Sequence, residues 1–342
     1  MKQISTKDAV GHILCHDITR IVRGVTKDAA FRKGHVVTKE DIPLLLSLGK
    51  DSLFVWEKEE WMLHEDEAAE ILYKISAGEN MSATEAKEGK IEIIADCDGL
   101  LMVDAEKLYE VNSIGEMMIA TRHGGFPVKK GDKLAGTRII PLVIEREKME
   151  KVKAVGGEKP ILTLYPFSEK KVGIVTTGNE VFYGRIEDTF TQVIENKLAE
   201  YGADVREKIV LPDAAEGITA SILSMIENGA EMVICTGGMS VDPDDRTPLA
   251  IKNTGAKVIS YGAPVLPGAM FMLAYYDNKI PILGLPGCVM YAERTIFDLV
   301  LPKLVADLRV TAGELASLGE GGFCLNCKTC SFPNCGFGKG GR

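Results

Sequence analysis

The sequence predicts an α/β protein: a three-layer α/β/α domain on a mostly parallel sheet, preceded by a mixed, largely β N-terminal region. From Lys170 onward, apolar β runs alternate with segments of helical periodicity, as in a parallel sheet covered on both faces. Before about Glu150 the β-type runs are short and joined by glycine turns. With 342 residues and 46% hydrophobic content, the chain can bury more than one core. The expected division is 1–150 for the first region, 151–169 for a linker, 170–310 for the α/β domain and 311–342 for a cysteine-rich tail.

In the first region, residues 38–48 read as a short helix capped by Thr38 and closed by Gly49. A second helix, Glu65–Ser76, has Ala69, Leu72 and Ile75 at helical spacing and stops at Gly78. SLFVW, IEIIA, LLMV, MMIA and TRIIPLVI are short strands, and 151–166 reads as connection.

The second region opens with the buried strand KVGIV. A helix over 188–201 follows, then the strand ADVREKIVL. Asp213 and Glu216 have capping-box spacing before a helix that runs to Asn228. EMVIC is a strand, and Thr247-Pro248 caps and starts another short helix. The strands KVIS, FMLAYY and IPILGL precede one long closing helix over 286–308 that contains Pro302.

A net charge of −9 argues against a nucleic-acid protein, whose footprint is a basic face. The opening stretch lacks the apolar core of a signal peptide, and no apolar run approaches the ~20 residues that span a bilayer. A cytoplasmic protein without membrane association is expected, so its eight cysteines are not expected to form structural disulfides. Cys15, Cys97, Cys235 and Cys288 are scattered and read as small packed apolar residues.

In an open α/β sheet, ligands bind beyond the carboxyl ends of the strands. Three loops leave such ends: VTTGNEV after the first strand, TGGMSVDPDDRTP after the third, and LPGC after the last. Their glycines let backbone N–H groups approach an anion, and the following helix start favours negative charge. The carboxylates of Glu180, Asp213, Asp242, Asp244 and Asp245 cannot hold that anion directly. They suit Mg²⁺ or another hard cation bridging to it, or the N–H edge of a nucleobase or pterin. Each has a plainer reading: Asp213 as a helix cap, Asp242 and Asp244 as solvated turn residues, Thr247 and Pro248 as a helix start. Glu180 has no such local role. No G-x-G-x-x-G follows a strand, and no P-loop motif is present.

TTGNEV, LPDA, TGGMSVDPDDRTP and GLPG, in this order, resemble the molybdenum-cofactor biosynthesis domain of molybdopterin adenylyltransferases and molybdopterin molybdenumtransferases. The resemblance covers roughly 170–307. AVGHILCHDITRI and AFRKGHVVTKEDIPLLLSLGKD also look like the opening of a molybdenumtransferase. The resemblance implies that Glu180, Asp213 and Asp245 serve catalysis, with Mg²⁺ at Glu180 and Asp245. It implies a pterin-phosphate cradle from Thr176, Thr177, Gly178, Asn179, Thr236, Gly237, Gly238, Ser240, Asp242, Thr247, Pro286 and Gly287. The implied ligands are adenylylated molybdopterin and molybdate, the implied partners are molybdoenzymes, and the family invites a homodimer. There are departures. Only Cys97-Asp-Gly-Leu100 matches part of the family's Asp-Gly-Tyr-Ala motif. Leu266-Pro267-Gly268 stands where the family has lysine–proline–glycine, and Cys288-Val289 where it has asparagine–proline. These departures leave a second reading, a molybdopterin-binding chaperone or redox or metal sensor that inserts no metal. A third is a hydrolase of a nucleotide-like substrate.

The tail GGFCLNCKTCSFPNCGFGKGG places Cys324, Cys327, Cys330 and Cys335 at C-x₂-C-x₂-C-x₄-C spacing. Four thiolates this close, in a segment too short for a core, point to a metal. Tetrahedral Cys₄ suits zinc, whereas the tight first three match the ferredoxin-type spacing of an iron–sulfur cluster.

Overall fold

A computed structural model of the chain describes residues 2–22, 26–55, 61–240, 242–243 and 245–340. The chain divides into two compact units. One is Met1–Cys97 with Met102–Arg122 and Lys129–Leu164; the other is Asp98–Leu101 with His123–Val128 and Tyr165–Arg342.

The first unit is built on an antiparallel sheet in the order Met81–Ala83, Lys90–Ala95, Lys133–Ile139, Met117–Thr121. In Lys90–Ala95 the side chains of Ile91, Ile93 and Ala95 are buried and their neighbours are not, the period of two of a strand with one covered face. The helix Glu65–Ser76 forms where its periodicity places it, burying Ala68, Ala69 and Leu72. Its start is fixed by His64, whose ring accepts the Asp66 N–H while Glu67 reaches back to the His64 N–H. The helix expected over 38–48 is shorter, Asp41–Ser47, and Thr38 does not cap it. The Asp41 carboxylate instead accepts the Thr38 N–H at 2.8 Å.

The stretch 151–166 is more than a connection. The helix Arg146–Gly156 and the strand Leu162–Pro166 occupy most of it. That helix buries only Met149, Val152 and Gly156, a stripe too narrow to stand out among its charges. Ala105–Ile114 is a further unanticipated helix; Asp104 caps it by accepting the Lys107 N–H.

The second unit has a six-stranded sheet. In chain order its elements are β1 (Lys171–Thr177), α1 (Asn179–Phe182), α2 (Phe190–Ala199), β2 (Asp204–Leu211), α3 (Ala215–Glu227), β3 (Met232–Thr236), α4 (Thr247–Asn253), β4 (Lys257–Tyr261), β5 (Met272–Tyr276), β6 (Ile280–Leu285), α5 (Ile296–Val305) and α6 (Ala312–Ser317). The spatial order is β2-β1-β3-β6-β5-β4. The first four strands run parallel, and β5 and β4 add an antiparallel edge. Alternate residues of β1 feed two cores. Val172 and Ile174 pack with Ile194 and Leu198 of α2 and Phe297 of α5; Val175 packs with Ile218 and Ile222 of α3 and Ile251 of α4. This is the three-layer α/β/α arrangement.

Two expectations are corrected here. Asp213 makes no capping box: the residue before α3 is Ala214, and it has no side-chain cap. The single closing helix is broken into a 3₁₀ turn, Gly287–Met290, and α5, which begins only at Ile296. A capping box explains the break. The Thr295 side chain accepts the Phe297 N–H, and Asp298 accepts the Thr295 N–H at 2.7 Å. Burial pushes the thiols of Cys15 and Cys235 up, to about 11 and about 12, so both behave as packed apolar groups.

Candidate functional site

The carboxyl ends of β1, β3 and β6 are neighbours: Thr176 pairs with Thr236, and Thr236 with Leu285. All three loops therefore leave one edge of the sheet. The chain moves outward from β1 to β2 and then crosses back to β3, so the strand order reverses between β1 and β3. Open α/β sheets bind ligands at such a reversal.

The loops are tied together at that point. Gly237 has φ +81°, and a Cβ there would run into the Thr177 carbonyl, so only glycine fits on both counts. Gly238 follows with φ +53°. The Thr247 hydroxyl donates to Gly237 O at 2.8 Å and lies 3.2 Å from Thr177 Oγ1. Thr247 is the first residue of α4 rather than its cap, and its role is to join the β1 and β3 loops. Met239 lies against Gly284 of β6, where a Cβ would sit 2.5 Å from its Cε. Thr176 Oγ1 is 3.0 Å from Thr191 Oγ1. Thr236 is fully buried, and its hydroxyl has no hydrogen-bond partner. Such a group is rare in a native structure and invites a role for an absent ligand or water.

The acidic residues are arranged differently. Asp213 accepts the Asn179 N–H at 2.9 Å and joins the end of β2 to the β1 loop. Glu180 is exposed on α1. Its carboxylate folds back beside Gly178, which has φ +148°. Asp245 accepts the Asp242 N–H at 2.9 Å, closing its own turn. Burial, and then the Asp245 carboxylate, push the Tyr261 hydroxyl above its ordinary range. It stays protonated and donates to Met239 O at 3.0 Å. Among the described residues, Glu180, Asp213 and Asp245 do not form a trio within 4.8 Å. Asp244 lies outside the described residues. Ser240 and Gly287 are exposed, Pro286 is buried, and a Cβ on Gly287 would meet nothing within 4 Å.

Residues 173–306 match a family described as a probable molybdopterin binding domain. This domain belongs to the molybdenum-cofactor biosynthesis family. Residues 3–57, ahead of the molybdopterin-binding domain, match a domain of unknown function. Over 197 residues the chain is 25% identical to a molybdopterin molybdenumtransferase of Synechococcus elongatus, covering 54% of this chain and 46% of that protein. A CinA-like protein of Amoebophilus asiaticus is 35% identical over 78 residues, 23% of this chain and 19% of its own. The chain spans less than half the length of either relative. The crystal structure of the molybdopterin biosynthesis enzyme MoaB from Thermus thermophilus matches with a TM-score of 0.32 at 22% identity, over 40% of this chain and 96% of that one. Among the described residues no helix is long and apolar enough to cross a membrane.

Sequence reasoning missed the apolar rim of the molybdopterin-binding domain. Phe182, Tyr183, Ile186, Met290 and Tyr291 are exposed in the segments that follow β1 and β6, Tyr291 to 79%. The signal was available in VFYGRI and VMY, where aromatic and aliphatic side chains occupy expected loops. It also missed His64, Glu65 and Asp66 in the first unit. Among the described residues, theirs is the one group of three or more ligand atoms within 4.8 Å. His64 Nδ1 accepts the Asp66 N–H at 3.2 Å, so Nε2 carries the proton donated to Cys15 O at 2.7 Å. The Lys33 ammonium already stands beside them, 2.6 Å from Asp66 Oδ2. Both ring nitrogens and the cation position are taken, and the cluster reads as structural.

Proposed function

We propose that the strand-end loops bind adenylylated molybdopterin together with a divalent cation, and that the chain acts with molybdate as a molybdenumtransferase does. The Gly237–Thr177 contact at the β1/β3 reversal carries this reading. It holds the two loops so close together that their backbone N–H groups can face a phosphate. The exposed rings of Phe182, Tyr183 and Tyr291 offer faces for a planar pterin. Glu180, Asp242 and Asp245 supply hard oxygen donors, and Mg²⁺ needs only one or two carboxylates beside substrate phosphates, so the donor set fits the ion. When bound, Mg²⁺ neutralises charge on the phosphoanhydride. The chain's own contribution is to fix the phosphate, orient the pterin and keep Asp213 as a bridge between loops.

Incubation of the purified chain with adenylylated molybdopterin, Mg²⁺ and molybdate tests the proposal. AMP release that depends on molybdate supports the transferase reading. Tight pterin binding without AMP supports the chaperone or sensor reading, which the missing cation at Leu266 favours. Absence of pterin binding sinks both. Delivery to molybdoenzymes and a homodimer belong to the same proposal; pull-down of a molybdoenzyme apoprotein and sedimentation are their checks.

A further inference from the structure

Among the described residues, the tail beyond α6 has no helix or strand. Gly338 N–H donates to Gly321 O at 2.9 Å, so the segment from Gly321 to Gly338 is a loop closed at its neck. Its first limb is seated on the turn after β4: Leu266 N–H donates to Gly322 O at 2.8 Å, and Cys324 N–H to Leu266 O at 2.8 Å. Its second limb is anchored by aromatic rings. Phe337 is 4% exposed within the core, Phe332 stacks edge-on against Phe126 at 5.8 Å, and the Arg294 guanidinium lies 5.1 Å above the Phe332 ring. Glycine is required where the neck is tightest: a Cβ on Gly322 would strike the Pro264 and Leu318 carbonyls, and one on Gly338 would strike Leu299.

All four tail cysteines lie inside this closed loop, and all are free thiols. Packing accounts for two of them, since Cys324 and Cys335 are partly buried against the core. It does not account for Cys327, which is exposed, nor for a loop this long without regular structure in a compact domain, a feature usually tied to function. Four soft ligands on a loop fixed at its neck and anchored on its second limb are a donor set suited to a metal. The tight C-x₂-C-x₂-C of the first three matches the ferredoxin-type spacing of an iron–sulfur cluster.

We infer that Cys324, Cys327, Cys330 and Cys335 ligate a [4Fe–4S] cluster that clasps the loop against Phe126, Arg294 and the turn at Leu266. The inference is independent of the pterin reading, because iron content does not depend on pterin. The test uses the full chain, purified without oxygen and then supplied with ferric iron, a thiol reductant and sulfide. Expected are roughly four irons and four sulfides per chain, with a broad visible absorbance that bleaches on reduction. Cys327→Ser, at an exposed position that packing tolerates, loses most of that absorbance while the apo forms of variant and parent unfold at the same temperature. Serine at all four positions abolishes iron binding. One zinc per chain in colourless protein, four titratable thiols after reconstitution, or iron retained by the four-serine variant each overturns the inference.

Discussion

Two acidic regions of this molecule carry similar residues in opposite surroundings. His64, Glu65 and Asp66 are gathered and mostly buried, with Lys33 beside them and both imidazole nitrogens engaged. Glu180 on α1 and Asp242 in the loop after β3 are exposed, and half-buried Asp245 closes its own turn by accepting the Asp242 N–H. Gathering alone does not make a site. In the first cluster Lys33 pairs with Asp66 and both imidazole nitrogens are engaged, whereas the carboxylates of the second region have no cation within ion-pair distance among the described residues. The residue substitutions that follow should separate a region that stabilises from a region that binds.

The largest effect is expected at Gly237. In Gly237→Ala the new Cβ meets the Thr177 carbonyl at a φ that side chains rarely adopt, so the β1 and β3 loops must part. Pterin affinity should fall by at least roughly a hundredfold, and stability by about 2 kcal/mol or more, checked by titration calorimetry and thermal unfolding. Gly287→Ala is the control: with nothing within 4 Å of the added Cβ, stability should hold while affinity falls. If both variants bind normally, the strand-end region is not the ligand site.

The gathered cluster should announce itself through pH instead. Burial first, and then the Asp66 charge, push the Glu65 carboxyl up to about 7 from an unfolded value near 4.5. Between those values the folded chain keeps a proton that the unfolded chain has released. Rising pH therefore removes stability, up to about 3 kcal/mol across the window from about 4.5 to about 7. Denaturant unfolding at a series of pH values should show that slope, and Glu65→Gln should flatten it with pterin affinity unchanged. A slope of the opposite sign would remove the structural reading of this cluster.

Asp213 tests the boundary between the two classes. It is a loop bridge to Asn179, not a helix cap, so Asp213→Ala should cost about 1 kcal/mol of stability through one lost charge-assisted hydrogen bond. Affinity should fall roughly tenfold more than stability alone explains, because the β1 loop loses its tether. Equal losses in both measurements would return Asp213 to a purely structural role.

Much of this was legible before the structure. The parallel strands and the positions of the three loops follow from apolar runs and glycine punctuation, and TTGNEV and TGGMSVDPDDRTP mark the candidate site. What was not legible depends on tertiary contact. Asp213 sits at ideal spacing for a cap, and only the approach of Asn179 decides its use. Thr247 reads as a helix start until the Gly237 carbonyl is placed beside its hydroxyl. The 286–308 segment reads as one helix although Thr295 and Asp298 spell out a capping box inside it; the local signal is present and the long apolar run outweighs it. The helix Arg146–Gly156 was hidden by its charges, since three buried positions give a weak period.

Glu180 should give the smallest change in stability and so the cleanest reading. It is exposed, and its carboxylate touches its own loop at Gly178 without anchoring another element. Glu180→Gln keeps the shape and removes the charge, so the folded state should move by no more than about 0.5 kcal/mol. If the carboxylate holds a divalent cation beside a phosphate, the loss appears only when both are supplied. Pterin affinity without Mg²⁺ should match the parent, and the gain on adding Mg²⁺ should shrink severalfold. A carboxylate that serves only to orient the loop would lower both affinities together. The Mg²⁺ dependence of the variant, rather than its affinity at any one condition, distinguishes an acidic turn from a ligand.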